Sequence, residues 1–149
     1  MEFVKRDAAP YLCVVSCGTT QEAWPIEIGW CFGGGEIRTM LIKPQSAWSL
    51  AAWDKGTEAQ HRISVEDLLQ TGKDALDACL VLNAALGGSE VQSASPEKDS
   101  LWLYKLYRVA NVEPNFRIVH APISVRDTPT RAAAGLEVLR QESGVAQTG

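Results

Sequence analysis

Tyr11-Leu-Cys-Val-Val-Ser-Cys-Gly-Thr-Thr20 opens with an uncharged, largely apolar run that Gly18 interrupts. A run of this kind, too short for a buried helix and rich in residues that favour strands, predicts a buried strand from Tyr11 to Cys17. A second strand, Pro25 to Phe32, carries Ile26, Ile28, Trp30 and Phe32 on one face by period two. Gly33-Gly34-Gly35 reads as a hairpin turn, because glycine accepts the backbone angles that such turns need. It is a poor phosphate loop: no Gly-Lys-Ser/Thr follows, and the next element, Ile37 to Ile42, is a strand that Pro44 closes. Three consecutive strands form the start of a central sheet, and any site is expected where the first of them ends.

The remainder of the chain adds helices. A tryptophan-containing connection, Pro44 to Gln60, has room for a single helical turn. Ser64-Val-Glu-Asp67 is a capping-box pattern that opens a short helix stopping near Gly72. A longer helix from about Lys73 to Leu86 places Leu76, Cys79 or Leu80, Asn83 and Leu86 at helical spacing, as if buried against a sheet, and Gly87-Gly88 supplies its left-handed cap. Glu90 to Ser93 is a short strand. Ser95-Pro96 starts a helix whose apolar side is Trp102, Leu103, Leu106, Tyr107 and Ala110. A strand at Phe116 to Val119, extendable through Ile123 to Val125, precedes a last helix that Thr128-Pro129 opens and Ala132, Ala133, Leu136 and Leu139 line. This order predicts an α/β fold, a mixed central sheet flanked by helices. One domain is expected over residues 11–143, with a polar lead-in at 1–10 and a frayed tail at 144–149.

At 149 residues, with 46% in the hydrophobic set, the chain suits one domain with a real core. Its formal charge of -4 lowers the expectation of a strong nucleic-acid field without excluding a local basic patch. No signal segment or apolar span of membrane length stands out, so cytoplasm is the default location. Cys13, Cys17, Cys31 and Cys79 form no C-x-x-C pair, and with His61 and His120 as the only imidazoles they read as buried thiols and not as a zinc site. The five tryptophans, Trp24, Trp30, Trp48, Trp53 and Trp102, are spread along the chain and read as core or interface packing.

The ordered motifs resemble those of a known family. A hydrophobic strand, then x-x-Thr-Thr, a short loop and Ile26-Glu-Ile-Gly29 is similar to the opening of the histidine-containing DEDD branch of 3'-5' exonucleases, which have a ribonuclease H-like fold. Leu41-Ile-Lys-Pro44, His61-Arg-Ile-Ser64, Leu82-Asn-Ala-Ala-Leu-Gly-Gly88 and Asp99-Ser-Leu-Trp-Leu103 resemble later segments of that family in the same order. In a similar bacterial subgroup the strand after the glycine pair ends in Tyr-Ser-Asp; here it ends in Gln92-Ser93-Ala94. The family's last motif, His-Arg-Ala with an acid beyond, is matched by Thr130-Arg-Ala-Ala-Ala-Gly135. The resemblance therefore places the catalytic positions at Ser16, Gly18, Asp99, Thr130 and Gly135, and only Asp99 keeps the family's side chain.

That pattern has a chemical consequence. Phosphodiester hydrolysis on this fold relies on two divalent ions about 4 Å apart, held by carboxylates. Asp99 alone is a weak metal candidate, Ser16 is neutral, Gly18 and Gly135 carry no side chain, and the Thr130 hydroxyl cannot serve as a base near neutrality. The leading expectation is a catalytically inactive exonuclease-like protein acting in protein binding or assembly, with an unidentified protein partner or, as the resemblance implies, a homodimer. One alternative is non-hydrolytic binding of single-stranded nucleic acid, with Arg131, Lys98, Arg126 and Arg62 as candidate contacts and His120 as a residue near the same cleft. The other is a metal-dependent 3'-5' exonuclease with replacement ligands. No cofactor is expected; magnesium or manganese enters only with residual nuclease activity.

Overall fold

The computed structural model describes residues 9–121 and 131–142. The expected continuation at Ile123 to Val125, the cap at Thr128-Pro129, most of the lead-in and the tail lie outside the described residues.

Five strands form one mixed sheet in the order β3-β2-β1-β4-β5. β1 (Pro10–Ser16), β2 (Pro25–Phe32) and β3 (Arg38–Leu41) are the antiparallel part. β4 (Glu90–Ser93) runs parallel to β1, and β5 (Arg117–His120) runs parallel to β4. The helices are α1 (Lys55–His61), α2 (Val65–Thr71), α3 (Ala75–Leu86), α4 (Pro96–Ala110) and α5 (Ala132–Glu142). A 3-10 turn at Leu50–Ala52 precedes α1.

Local chemistry accounts for most boundaries. Gly33 takes a φ of 52° in the β2–β3 turn, and Gly35 N–H closes that turn on the Phe32 carbonyl. At α2 both capping-box bonds form: Ser64 Oγ accepts from Asp67 N–H, and the Asp67 carboxylate accepts from Ser64 N–H. Of the glycine pair after α3, Gly88 is the one with positive φ, 77°. Ser95 leaves the N-terminus of α4 without a side-chain cap, and Pro96 starts the helix by its fixed backbone angle.

Three readings change. α1 is a full helix where only a single turn is expected, started by Asp54, whose carboxylate accepts from Gly56 and Thr57 N–H. On α3, Leu76 and Leu80 are solvent-facing at 46% and 52% exposure, and the buried side is Ala75, Ala78, Cys79, Leu82 and Leu86. The reason is that α3 packs on α4, which selects the stripe carrying Ala75, Ala78, Cys79, Leu82 and Leu86 and leaves Leu76 and Leu80 outside. Ala133 of α5 is exposed, leaving Ala132, Leu136 and Leu139 as the buried stripe.

β1 and the body of β2 are buried on both faces, which explains the apolar run of β1; β2 is apolar apart from the buried Glu27. α5 packs across β1, β2 and β3, while α4, backed by α3, packs on β1, β2, β4 and β5. Gly29 is the seat of α5. A Cβ there would lie 2.9 Å from Ala132 Cβ and 3.0 Å from a Leu136 methyl. Gly29→Ala is therefore expected to destabilise by about 1 to 3 kcal/mol through overpacking, against the usual small gain from stiffening the unfolded chain. Urea denaturation measures this, and an unchanged midpoint would show that the α5 seat has slack.

Candidate functional site

The topology brings one end of the sheet together with two helix starts. β1 and β4 are parallel, so Ser16 and Ser93 end their strands on the same side, where α4 begins. β2 is antiparallel to β1, with Glu27 opposite Val15, so its early residues lie at that same end and meet the start of α5.

Ser16 follows a register shift in the β1–β2 ladder, and its hydroxyl donates to the Gly18 carbonyl at 2.7 Å. Gly18 is buried, and there is no room for a side chain: an added Cβ would sit 2.9 Å from the Ala52 carbonyl oxygen and 3.3 Å from Asp54 Cβ. That covering segment is bonded in place, since Asp54 N–H donates to the Cys17 carbonyl at 2.9 Å. Trp24 Nε1–H donates to the Ser49 carbonyl at 2.9 Å, stacks on Trp48 with ring centroids 5.5 Å apart, and meets Trp53 at 5.7 Å. Trp53 in turn donates to Glu58 at 2.7 Å and takes the edge of His61. Three of the five tryptophans, dispersed in sequence, thus form one cluster beside Gly18.

Asp99 lies near the start of α4 and is only 6% exposed. Its Oδ2 accepts from Ser93 Oγ at 2.6 Å, while Ser93 Oγ accepts from Ser95 N–H at 3.0 Å. Burial pushes the Asp99 carboxyl up to about 7, against the opposing pull of the Ser93 hydroxyl, the Val14 backbone and the Lys98 charge. Near neutrality it is a buried acid shared between protonated and ionised forms. Among the described residues no three His, Cys, Asp or Glu side chains gather as a metal site.

Arg131 is committed to another partner. Its Nε and Nη2 donate to the two oxygens of Glu27 at 2.9 and 2.7 Å, and Ala132 N–H adds a third bond to Glu27 at 2.9 Å. Glu27 is 2% exposed and Arg131 45%, so the guanidinium keeps one side in solvent while its fork is engaged. Gly135, one turn into α5, is buried. Lys98 is exposed and lines a cavity of about 290 Å³ with Ser95, Pro96, Glu97 and His120. Arg62 is the exposed, left-handed C-cap of α1. Arg126 and Thr130 lie outside the described residues. A larger cavity, about 470 Å³, lies by Tyr104, Arg108 and Asn111, toward the far end of α4.

A mixed sheet in this strand order, flanked by helices, has the ribonuclease H-like architecture. Among solved structures the chain is similar to exonuclease I of E. coli in a zinc-bound complex with single-stranded DNA, with a TM-score of 0.71 at 8% identity over 93% of this chain. It is also similar to E. coli exonuclease I in complex with a dA16 oligonucleotide, with a TM-score of 0.61 at 9% identity over 94% of this chain. The chain spans 40% and 36% of the length of those two proteins. No family model and no curated protein sequence matches it.

Two outcomes follow from the geometry. Gly18→Asp, which puts an acid at that position, is expected to destabilise by about 1 to 3 kcal/mol because it collides with Ala52, and calorimetry with added magnesium should show no gain in metal affinity. Asp99 titrates near 7 when folded and near 4 when unfolded, so the folded state holds a proton that the unfolded state has lost between those values. Its contribution is complete below about pH 4 and disappears as pH rises through about 7. Asp99→Asn should therefore gain on the wild type in urea midpoint from pH 5 to pH 8; parallel curves would place the Asp99 carboxyl in solvent-like surroundings.

Proposed function

We propose that this chain binds single-stranded nucleic acid through an exonuclease-like cleft without cleaving it. The observation that carries this reading is the pairing of a fold shared over nine tenths of the chain with single-stranded-DNA complexes of exonuclease I with an Asp99, the acid that the family resemblance points to, that is buried and partly neutral. Hydrolysis needs carboxylates that hold two metal ions at the scissile phosphate. A nucleic-acid backbone needs only a surface without concentrated negative charge and with cations in reach. Ser16, Gly18 and Gly135 bring no charge to this end of the sheet, and Lys98 stands exposed at the start of α4, where the helix dipole favours an anion.

Arg131 contributes less than its place beside the family motif implies, because Glu27 occupies its fork. Lys98 is the better probe. Binding by phosphate neutralisation weakens as salt rises, with a logarithmic slope of about -0.7 per contact for a single strand. Affinity for short DNA and RNA oligonucleotides, measured over a salt series in chelator, is expected to fall with salt, and Lys98→Ala to reduce the slope by about 0.7. With magnesium or manganese, no nucleotide release is expected above that of an Asp99→Ala control. Absence of association at low salt would turn the reading to protein assembly; release lost in D99A would restore the nuclease.

A further inference from the structure

His61 ends α1 and is 2% exposed, yet its two ring nitrogens are treated unequally. Nδ1 accepts from the backbone N–H of Ile63 at 2.9 Å, so the ring proton sits on Nε2. Nε2 is buried with no hydrogen-bond partner. The ring stands edge-on to Trp53 at 5.8 Å, and through Trp53 it joins the tryptophan cluster that holds Ala52 over Gly18. The charged groups facing it are Glu58 of α1, Glu27 of β2 and Arg131 at the start of α5.

We propose that His61 is an acid-sensitive latch: protonation releases segment 48–63 and uncovers the Gly18 end of β1. A doubly protonated ring is a donor at both nitrogens, so Nδ1–H would confront Ile63 N–H and leave that buried backbone donor unpaired. The acids nearby do not rescue the charge in place, because Glu58 already accepts from Trp53 and Glu27 is taken by Arg131 and Ala132. Arg131 adds like-charge repulsion. Burial is the main reason that the ring is held below its ordinary value, with Arg131 acting in the same direction and the two glutamates opposing. The sign follows: the neutral ring's contribution is complete above the ordinary imidazole value near 6.5 and is lost as pH falls through the lower folded value. Leaving the pocket lets the imidazolium reach water and takes α1 and the Ala52 carbonyl with it.

Hydrogen exchange followed by mass spectrometry, corrected for intrinsic rates and stepped from about pH 8 to about pH 5, tests this. Wild type is expected to lose protection about tenfold or more in the 48–63 peptides with a midpoint below 6.5, while β1 and β2 stay protected. His61→Asn keeps an acceptor near the position of Nδ1 and cannot titrate, so its 48–63 peptides should stay protected throughout. Asp99 is retained in this variant and gives an opposite pH trend, so it cannot mimic the effect. The same loss of protection in H61N, or loss in wild type only together with β1 and β2, overturns the latch. Should H61N not fold, NMR titration of the wild-type imidazoles decides, since the chain has only two: a His61 midpoint that coincides with the exchange midpoint supports the latch, and one that does not rejects it.

Discussion

The Glu27 carboxylate is the constraint from which the site's arrangement follows. It is almost wholly buried, and an isolated charge there would be costly. Three hydrogen bonds compensate: two from the Arg131 fork and one from the first N–H of α5. The carboxylate therefore caps a helix start and pairs with a cation at once, which aligns charge with helix dipole. Because its strand neighbour Gly29 has no side chain, α5 lies close on the sheet at the point where Glu27 holds its end. An ion pair of this sort specifies position more than it adds stability. It joins residues 104 apart in sequence and decides where Gly135 stands.

The opposite boundary of the site is made of rings and backbone. Trp24 is fully buried and anchors Trp48 and Trp53, so the connection after β3 folds back on the end of β1. Its Ala52 carbonyl closes the space above Gly18. The volume in which a side chain at position 18 would stand is occupied by peptide. Asp99 is drawn inward in a comparable way, toward Ser93, and desolvation opposes its charge. A metal-binding cluster needs exposed anionic oxygens converging on one point; here the Asp99 carboxyl is buried and pushed up to about 7, and the space at Gly18 is packed.

Much of this was legible from local pattern. The strand at Tyr11, the turn at Gly33, the cap at Ser64, the stop at Gly88 and the buried side of α4 are each specified by a few adjacent residues, because backbone angles and capping bonds are settled within one or two turns of chain. α1 is less legible for a related reason: Gly56 and a run of mixed polar residues give it no apolar period, and its Asp54 cap is the one local signal. The outward leucines of α3 show the limit of periodicity, since either stripe of an apolar helix satisfies the spacing and only the packing on α4 selects one.

By itself, the sequence determined the mixed α/β class, the order of its elements and the absence of carboxylates at Ser16, Gly18 and Gly135, all properties of residue identity and short-range spacing. Tertiary structure alone decided that Arg131 is bound to Glu27, that three tryptophans cluster and one of them, Trp53, meets His61, and that Asp99 is pushed up to about 7. Those outcomes depend on burial and on partners supplied by other elements of the chain. Charge and hydrogen-bonding capacity are written in the chain, but the dielectric around each group, and the neighbour that satisfies it, exist only once the sheet and its helices have closed.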